Sequence, residues 1–158
     1  MDSYRAGLVA ELGQRRELTV ARTGHNGRPL STTVAYCNDG AMIYFVIPGD
    51  SEVFAGLEPH APVSLVLGSS TPLSMVVGLK RTRLTLPDQP SARGVPMNAL
   101  IAEVTDPAER TRATGLLADR YPGLGPVMRR ALENGFQMRM MRAVPFMGLV
   151  SSRPANAA

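Results

Sequence analysis

Residues 18–67 decide the fold, and from Leu18 to Leu67 they read LTVARTGHNGRPLSTTVAYCNDGAMIYFVIPGDSEVFAGLEPHAPVSLVL. Runs rich in Val, Ile, Thr, Tyr and Phe alternate here with short groups of Gly, Asn, Asp and Pro, which is the pattern of strands joined by tight turns. Asn26-Gly27 is a strong hairpin signal, and Asp39-Gly40 marks a second turn. The stretch predicts three strands, a short helix over about 51–57, and a fourth strand.

The flanking segments add helices and further strands. A first helix is predicted over residues 4–13, because Leu8, Val9 and Leu12 fall at helical spacing. A strand is predicted from residue 73, continuing to about 86, so that barrel strands occupy about 17–86. A helical segment is predicted over 97–133, in which Thr105 or Asp106 caps a helix that has Pro107 in its first turn and runs to about Arg120. A last strand is predicted over 136–142.

Together these segments predict one α+β, mainly β domain over residues 1–150, with a flexible tail over 151–158. Strands joined by tight turns pair antiparallel, and the helices cover them. The chain has 158 residues, of which 44% are hydrophobic, as in globular proteins. It has no run near the roughly 18 apolar residues of a membrane helix and no secretion-signal pattern. With Cys37 as its single cysteine, we expect a cytoplasmic protein without a membrane partner.

The charged residues argue against a nucleic-acid partner. The net charge is +4, Lys80 is the only lysine, and the sequence has no tryptophan and no long basic run. A few arginines suffice to attract an anionic small molecule. No metal site is expected, because His25 and His60 lack a second ligand at suitable spacing. His60 remains open as a haem ligand, and Cys37 is interpreted as a packed residue rather than a nucleophile.

The order and spacing of these elements resemble the pyridoxamine 5'-phosphate oxidase-like family of FMN-binding split barrels. The resemblance covers about residues 15–145. It is carried by Leu18–Ala21, Gly27-Arg28-Pro29, Ser31–Tyr36, Asp39-Gly40, Ile43–Ile47, Ser51, Leu57, Val63–Leu67, Val76-Val77-Gly78, Asp106–Glu109 and Arg120-Tyr121-Pro122. It implies a six-stranded antiparallel split β-barrel with flanking helices, and a homodimer with FMN in the cleft between subunits.

The resemblance also implies a cofactor site. Residues along the flavin ring would be Thr32, Thr33, Val34 and Ala35, and those of the next strand and the phosphate turn would be Val46, Ile47 and Ser51. Family members follow this serine with basic residues, whereas this chain has Glu52-Val53, and Thr32 stands where the family has an arginine. We therefore expect Arg81 and Arg83 to supply the charge for the phosphate.

By this resemblance the protein is an FMN-dependent oxidoreductase, which transfers hydride through flavin to or from a small organic substrate. No catalytic side chain is assigned, because the flavin itself carries the chemistry. Two alternatives stay open. One is a split barrel that binds haem, deazaflavin or another planar ligand. The other is a cofactor-free dimeric binding domain, which the missing phosphate cations favour.

Overall fold

The computed structural model describes residues 3–24, 26–68, 73–77, 80–84, 95–133 and 137–146. The helices are α1 (Ser3–Gln14), a 3-10 helix (Glu52–Phe54), α2 (Pro107–Arg120) and α3 (Leu124–Glu133). The strands are β1 (Glu17–Thr23), β2 (Pro29–Asp39), β3 (Met42–Pro48), β4 (Ala61–Leu67), β5 (Leu73–Val77), β6 (Lys80–Leu84), β7 (Val95–Glu103) and β8 (Met138–Phe146). None of the described helices is both long and apolar enough to span a membrane.

Six strands close into a barrel in the order β1-β4-β7-β8-β3-β2, and β2 returns to pair with β1. All pairings around this ring are antiparallel. The strands β5 and β6 form an antiparallel pair beside the barrel, attached to β2. The α+β split-barrel fold predicted from the sequence is therefore confirmed.

The two predicted turns have the conformations that their glycines allow. Gly27 has a φ of +83° and Gly40 a φ of +61°, in the left-handed region that is costly for residues with a Cβ atom. The Asn26 side chain accepts a hydrogen bond from the backbone N–H of Arg28 (3.1 Å), which closes the first turn. These turns fix the register of β1 with β2 and of β2 with β3.

Alternating side chains of β2, β3 and β8 divide between two buried apolar clusters, one inside the barrel and one outside it. Val34 and Tyr36 of β2 and Ile43 and Phe45 of β3 point into the barrel core. The 3-10 helix adds Phe54, whose ring centroid lies 5.9 Å from that of Phe45. The 3-10 helix thus extends the buried core beyond the strands, where burial of apolar area is the main stabilising contribution.

The helix α2 covers the outer face of β2, β3 and β8. Ala113 and Leu117 pack against Cys37, Val46 and Met140 in a second buried cluster. The Asp106 carboxylate accepts a hydrogen bond from the Glu109 backbone N–H (2.9 Å), so the predicted cap and start of α2 are confirmed. The predicted helix end near Arg120 is confirmed as well.

The end of α1 is held by groups from β2 and α2. The Tyr36 hydroxyl donates to the carbonyl oxygen of Leu12 (2.7 Å), and the Arg120 guanidinium donates to the same oxygen (3.0 Å). The guanidinium also lies over the Tyr36 ring, 4.5 Å from its centroid. A cation at the C-terminal end of a helix opposes the partial negative charge of the last carbonyl groups.

The predicted helix over residues 97–103 is wrong, because this segment belongs to β7. Met97, Ala99 and Ile101 turn toward the barrel core, and the strand pairs with β4 on one side and β8 on the other. Residues such as Met, Ala, Leu and Glu favour helices in isolation, but two ladders of backbone hydrogen bonds and a buried face override that preference.

Two other boundaries differ from the sequence predictions. The strand β6 pairs antiparallel with β5 (Val77 opposite Lys80), so it does not continue β5 to residue 86 as predicted. The last strand runs to Phe146 rather than ending at residue 142, because β7 offers it a partner as far as Asn98. The start predicted for that strand at residue 136, and the tail over 151–158, lie outside the described residues.

Candidate functional site

The barrel opens between β2 and β3. The ladder of these strands ends where Tyr36 pairs with Phe45, and beyond it Val34 pairs in parallel with Val76 of β5. Among the described strands, β8 alone pairs with β3 from Val46 to Pro48. We call this opening, formed by residues 32–35, 46–47 and 51, the β2–β3 split. It contains the seven site residues that the family resemblance implies, whereas Arg81 and Arg83 lie on β6.

The two threonines of the split face opposite sides of the sheet. Val34 lies in the barrel core, so the half-buried Thr32 faces that side too. Thr33 faces outward, and its hydroxyl oxygen lies 2.9 Å from that of Thr19. One phosphate group therefore cannot accept hydrogen bonds from the hydroxyl groups of both Thr32 and Thr33. The assignment of Thr32 and Thr33 to the cofactor site stays a prediction.

The apolar residues of the split bury their side chains in the protein interior. Val34 and Ile47 are buried in the barrel core, and Val46 packs in the cluster beneath α2. Ala35 is also buried. What β2 and β3 present to each other here is main chain. Residues 32–35 pair with β1, Val34 also pairs with β5, and Val46 and Ile47 pair with β8. A planar ligand would therefore meet only main-chain groups on the strand edges that face the split.

Ser51 lies at the end of the split, just before the 3-10 helix. Its backbone N–H donates to the carbonyl oxygen of Pro48 (3.1 Å), and its side chain makes no capping hydrogen bond to the helix. The hydroxyl can therefore serve a ligand oxygen. Glu52, the next residue, is exposed and adds a negative charge close to this hydroxyl.

Arg81 and Arg83 lie on β6, and β6 is connected to the split by its pairing with β5. Arg81 lies opposite Val76, which in turn pairs with Val34, and Arg83 lies opposite Ser74. The fold thus brings the strand that carries both arginines beside the split. Among the described strands, only β5 lies between β6 and β2.

The remaining reactive side chains take no part in the split. Cys37 is buried, its Sγ lies 3.7 Å from the Ala113 carbonyl oxygen, and burial raises the pKa of its thiol to about 12. It is therefore a packed, protonated residue, as predicted. His60 lies exposed in the loop before β4, and His25 falls outside the described residues. Among the described residues, no group of three or more His, Cys, Asp or Glu could hold a metal ion.

A cleft on another face of the barrel was missed by the sequence analysis. It is formed by the end of β1, residues 56–58, the start of β4 and Asn98 of β7, and its volume is about 420 Å³. Arg22 and Glu58 are its charged residues, and we call it the Arg22–Glu58 cleft. The available signal was the alternation of Leu18, Val20 and Arg22, because a charge at a core-facing position indicates the open end of a barrel.

No family model matches the chain, and no curated protein matches it in sequence. Several solved structures do match its fold. HutZ from Vibrio cholerae, a haem storage protein, has a TM-score of 0.60 and 16% identity, over 90% of this chain and 90% of HutZ. An F420 reductase has a TM-score of 0.55 and 15% identity, over 87% of this chain and 92% of the reductase.

A third similar structure carries the family name. It is a protein related to general stress protein 26, of the pyridoxinephosphate oxidase family, from Clostridium acetobutylicum. Its TM-score is 0.53 and its identity 12%, over 92% of this chain and 86% of that protein. The resemblance to this group of split barrels is confirmed in fold. Identities this low leave the function to be argued from the site itself.

Proposed function

We propose that this protein is a dimeric, cytoplasmic oxidoreductase that binds a flavin-type cofactor, FMN first of all, in the β2–β3 split. The observation that carries the proposal is the end of the β2–β3 ladder at Tyr36 and Phe45. Beyond it, β2 pairs with β5 at Val34 and β3 pairs with β8, so the two strands separate and main chain forms the strand edges on either side of the split. The edge of a flavin ring carries hydrogen-bond donors and acceptors, which such main-chain groups can satisfy.

The residues of the split take distinct parts in this proposal. The main chain of Thr32–Ala35 and Val46–Ile47 orients the ring, and the buried side chains of Val34 and Ile47 keep both strands fixed. The Ser51 hydroxyl donates to the phosphate. Arg81 and Arg83 balance the phosphate charge from the adjacent β5–β6 pair. When bound, the flavin accepts or donates the hydride, so the chain's own residues bind and orient it.

Deazaflavin is the alternative that shares this chemistry, since it has the same kind of ring edge and also carries a phosphate. Haem fits the described residues less well. A haem iron is commonly held by His or by a Cys thiolate. His60 lies in the loop before β4 rather than in the split, and the buried Cys37 holds its proton. The similarity of the fold to a haem storage protein and to an F420 reductase supports a planar ligand in general.

The proposed dimer uses the outer face of β7 and β8. Leu100 and Val144 are cross-strand neighbours there, and they are 38% and 41% exposed, among the most exposed large apolar side chains described. Pro62 of β4 lies opposite Leu100 and is exposed as well. A second copy would remove this apolar area from water, and homodimer interfaces are typically apolar at their centre.

The absorption spectrum of the freshly purified protein tests the cofactor. We expect flavin bands, or uptake of FMN by the colourless protein in a titration followed by flavin fluorescence. Deazaflavin bands without FMN uptake would transfer the proposal to the alternative cofactor. A Soret band, or a protein that takes up neither flavin nor deazaflavin, would contradict the proposal.

The double variant Arg81→Ala/Arg83→Ala tests the source of the phosphate charge. We expect its FMN affinity to fall by about tenfold or more, since charge-assisted hydrogen bonds contribute roughly 1.5–3 kcal/mol. The matched control is Arg129→Ala/Arg130→Ala, which removes the same charge from exposed positions of α3. Equal losses in both double variants would mean that only the net charge matters, and no loss in either would exclude Arg81 and Arg83 as phosphate ligands.

A further inference from the structure

The Arg22–Glu58 cleft is separate from the β2–β3 split. The 3-10 helix and the loop after it lead from the end of β3 to β4, and the cleft lies where this loop meets β1, β4 and Asn98 of β7. Its volume of about 420 Å³ falls within the usual range of small-molecule sites, roughly 300–1,000 Å³. Leu57 and Val63 supply apolar lining, and Thr23, Ser64 and Asn98 supply hydrogen-bonding groups.

The loop that carries Glu58 has a defined shape. Gly56 and His60 both have left-handed backbone conformations, with φ of +69° and +63°. For a histidine this conformation is uncommon, and such positions concentrate at functional sites. Hydrogen bonds from the His60 N–H to the Ile101 carbonyl (2.8 Å) and from the Ala61 N–H to the Glu58 carbonyl (3.2 Å) hold the loop.

Arg22 connects this loop to β1. Its Nη1 donates to the Ala55 carbonyl oxygen at 3.3 Å, which is a long contact and uses one of five N–H groups. The ion pairs found among the described residues join other side chains, so Arg22 and Glu58 line one cleft without neutralising each other. A ligand with a single charge would meet one opposite and one like charge there.

We propose that the Arg22–Glu58 cleft binds a small zwitterion. Its carboxylate pairs with the Arg22 guanidinium, and its ammonium group pairs with the Glu58 carboxylate. Arginine suits a carboxylate because its planar fork offers two parallel N–H groups. Ser64 and Asn98 then donate further hydrogen bonds to the carboxylate oxygen atoms of the ligand, while Leu57 and Val63 contact its carbon chain. An amino acid or a compact amino carboxylate has this chemistry and fits the volume.

A titration of the isotope-labelled full chain without cofactor, followed by amide NMR shifts, tests this proposal independently of flavin binding. The probes are β-alanine, γ-aminobutyrate and ε-aminocaproate, compared with butyrate and butylamine as ligands of one charge. We expect at least one of the zwitterions to bind about two- to fivefold tighter than both single-charge ligands, the usual range for exposed ion pairs. The shifts should centre on Thr23, Leu57, Ser64 and Asn98.

Charge-removing variants then identify the two partners. Arg22→Gln should remove the preference for the carboxylate, whereas Arg22→Lys should keep part of it. Glu58→Gln alters an exposed side chain and should remove the preference for the ammonium group. Arg28→Gln changes an exposed arginine in the turn between β1 and β2. It is the control and should bind the probes as the wild type does. Equal binding of single-charge and zwitterionic probes, shifts outside the cleft, or equal effects of Arg22→Gln and Arg28→Gln would each overturn the proposal.

Discussion

At the scale of single residues, Glu52 is the side chain most opposed to phosphate binding in the split. It is exposed, and it follows the Ser51 hydroxyl that we assign to the phosphate. A carboxylate beside a phosphate repels it, while water and salt weaken the repulsion. The family resemblance places basic residues at this point of the chain. In the proposed site, Glu52 therefore opposes the binding of a phosphorylated cofactor.

We expect Glu52→Gln to raise the affinity for FMN about fivefold, because it removes a repulsion of about 1 kcal/mol. Glu52→Lys should raise it further. A flavin fluorescence titration at low and at high salt measures both effects, and the gain should shrink in high salt. Glu58→Gln makes the same change at the other end of the same loop and should leave FMN affinity unchanged. A gain in FMN affinity from Glu58→Gln as large as that from Glu52→Gln would show that the effect does not depend on where the negative charge lies.

At the scale of elements, the docking of α2 depends on Glu109. The Tyr44 hydroxyl of β3 donates to its carboxylate (2.8 Å), and Nη1 of Arg142 on β8 lies 2.8 and 2.9 Å from its two oxygen atoms. Burial alone would raise the pKa of Glu109, but the hydrogen bonds from Arg142 and Tyr44 outweigh burial and hold this pKa below its ordinary value of 4.5. Burial and the bond to Glu109 raise the pKa of Tyr44 to about 12.

We expect Glu109→Gln to lower the free energy of unfolding by about 1–2 kcal/mol at neutral pH, as for other hydrogen bonds to charged groups. Because the folded-state pKa of Glu109 is depressed, its contribution is present above the ordinary pKa of 4.5 and is lost as the pH falls through the folded-state value. Denaturant unfolding at neutral and acidic pH should show the two proteins converging in acid. Glu133→Gln, at an exposed position of α3, is the control; a gap between wild type and Glu109→Gln that persists in acid would contradict the ion-pair explanation.

At the scale of the whole molecule, the outer face of β7 and β8 around Leu100 and Val144 is the surface that we propose as the dimer interface. The helix α2 covers one side of the barrel, whereas Leu100 and Val144 have no described helix over them. Buried interface centres tolerate a new charge poorly, because the charge loses its water without gaining a partner. A charged substitution on this face therefore distinguishes an interface from ordinary surface.

We expect Leu100→Glu to weaken dimerisation at least about thirtyfold, as for the central residues of other interfaces. Sedimentation over a range of protein concentrations measures the change. Val127→Glu is the matched control, since Val127 on α3 is also 38% exposed and should keep the dimer intact. A wild-type monomer at all concentrations, or equal effects of the two variants, would contradict the proposed interface.

Local signals in the sequence carried much of the fold. The strands β1 to β4 follow from β-branched and aromatic runs separated by turn residues such as Asn26-Gly27 and Asp39-Gly40, and α2 follows from Asp106-Pro107. The strand β7 could not be predicted in this way, because its residues favour a helix until β4 and β8 pair with it. Local preference decides a segment only where tertiary partners do not compete with it.

The sites were harder to predict than the fold for two physical reasons. The β2–β3 split is made of main chain, which has no residue signature of its own, so only the family resemblance indicated Val34 or Ile47. Arg22 and Glu58 are distant in sequence and line one cleft because β1 pairs with β4. Single-residue reasoning cannot detect a cleft that a long-range pairing creates.

The contact of Arg120 with the end of α1 also has a consequence for the order of folding. The donor and the Leu12 carbonyl are separated by 108 positions in the chain. During synthesis from the N-terminus, α1 emerges first, but the cation that binds its last carbonyl groups emerges only after the central part of the barrel. The helix α1 therefore receives this native bond only after the last residue of α2 has been made.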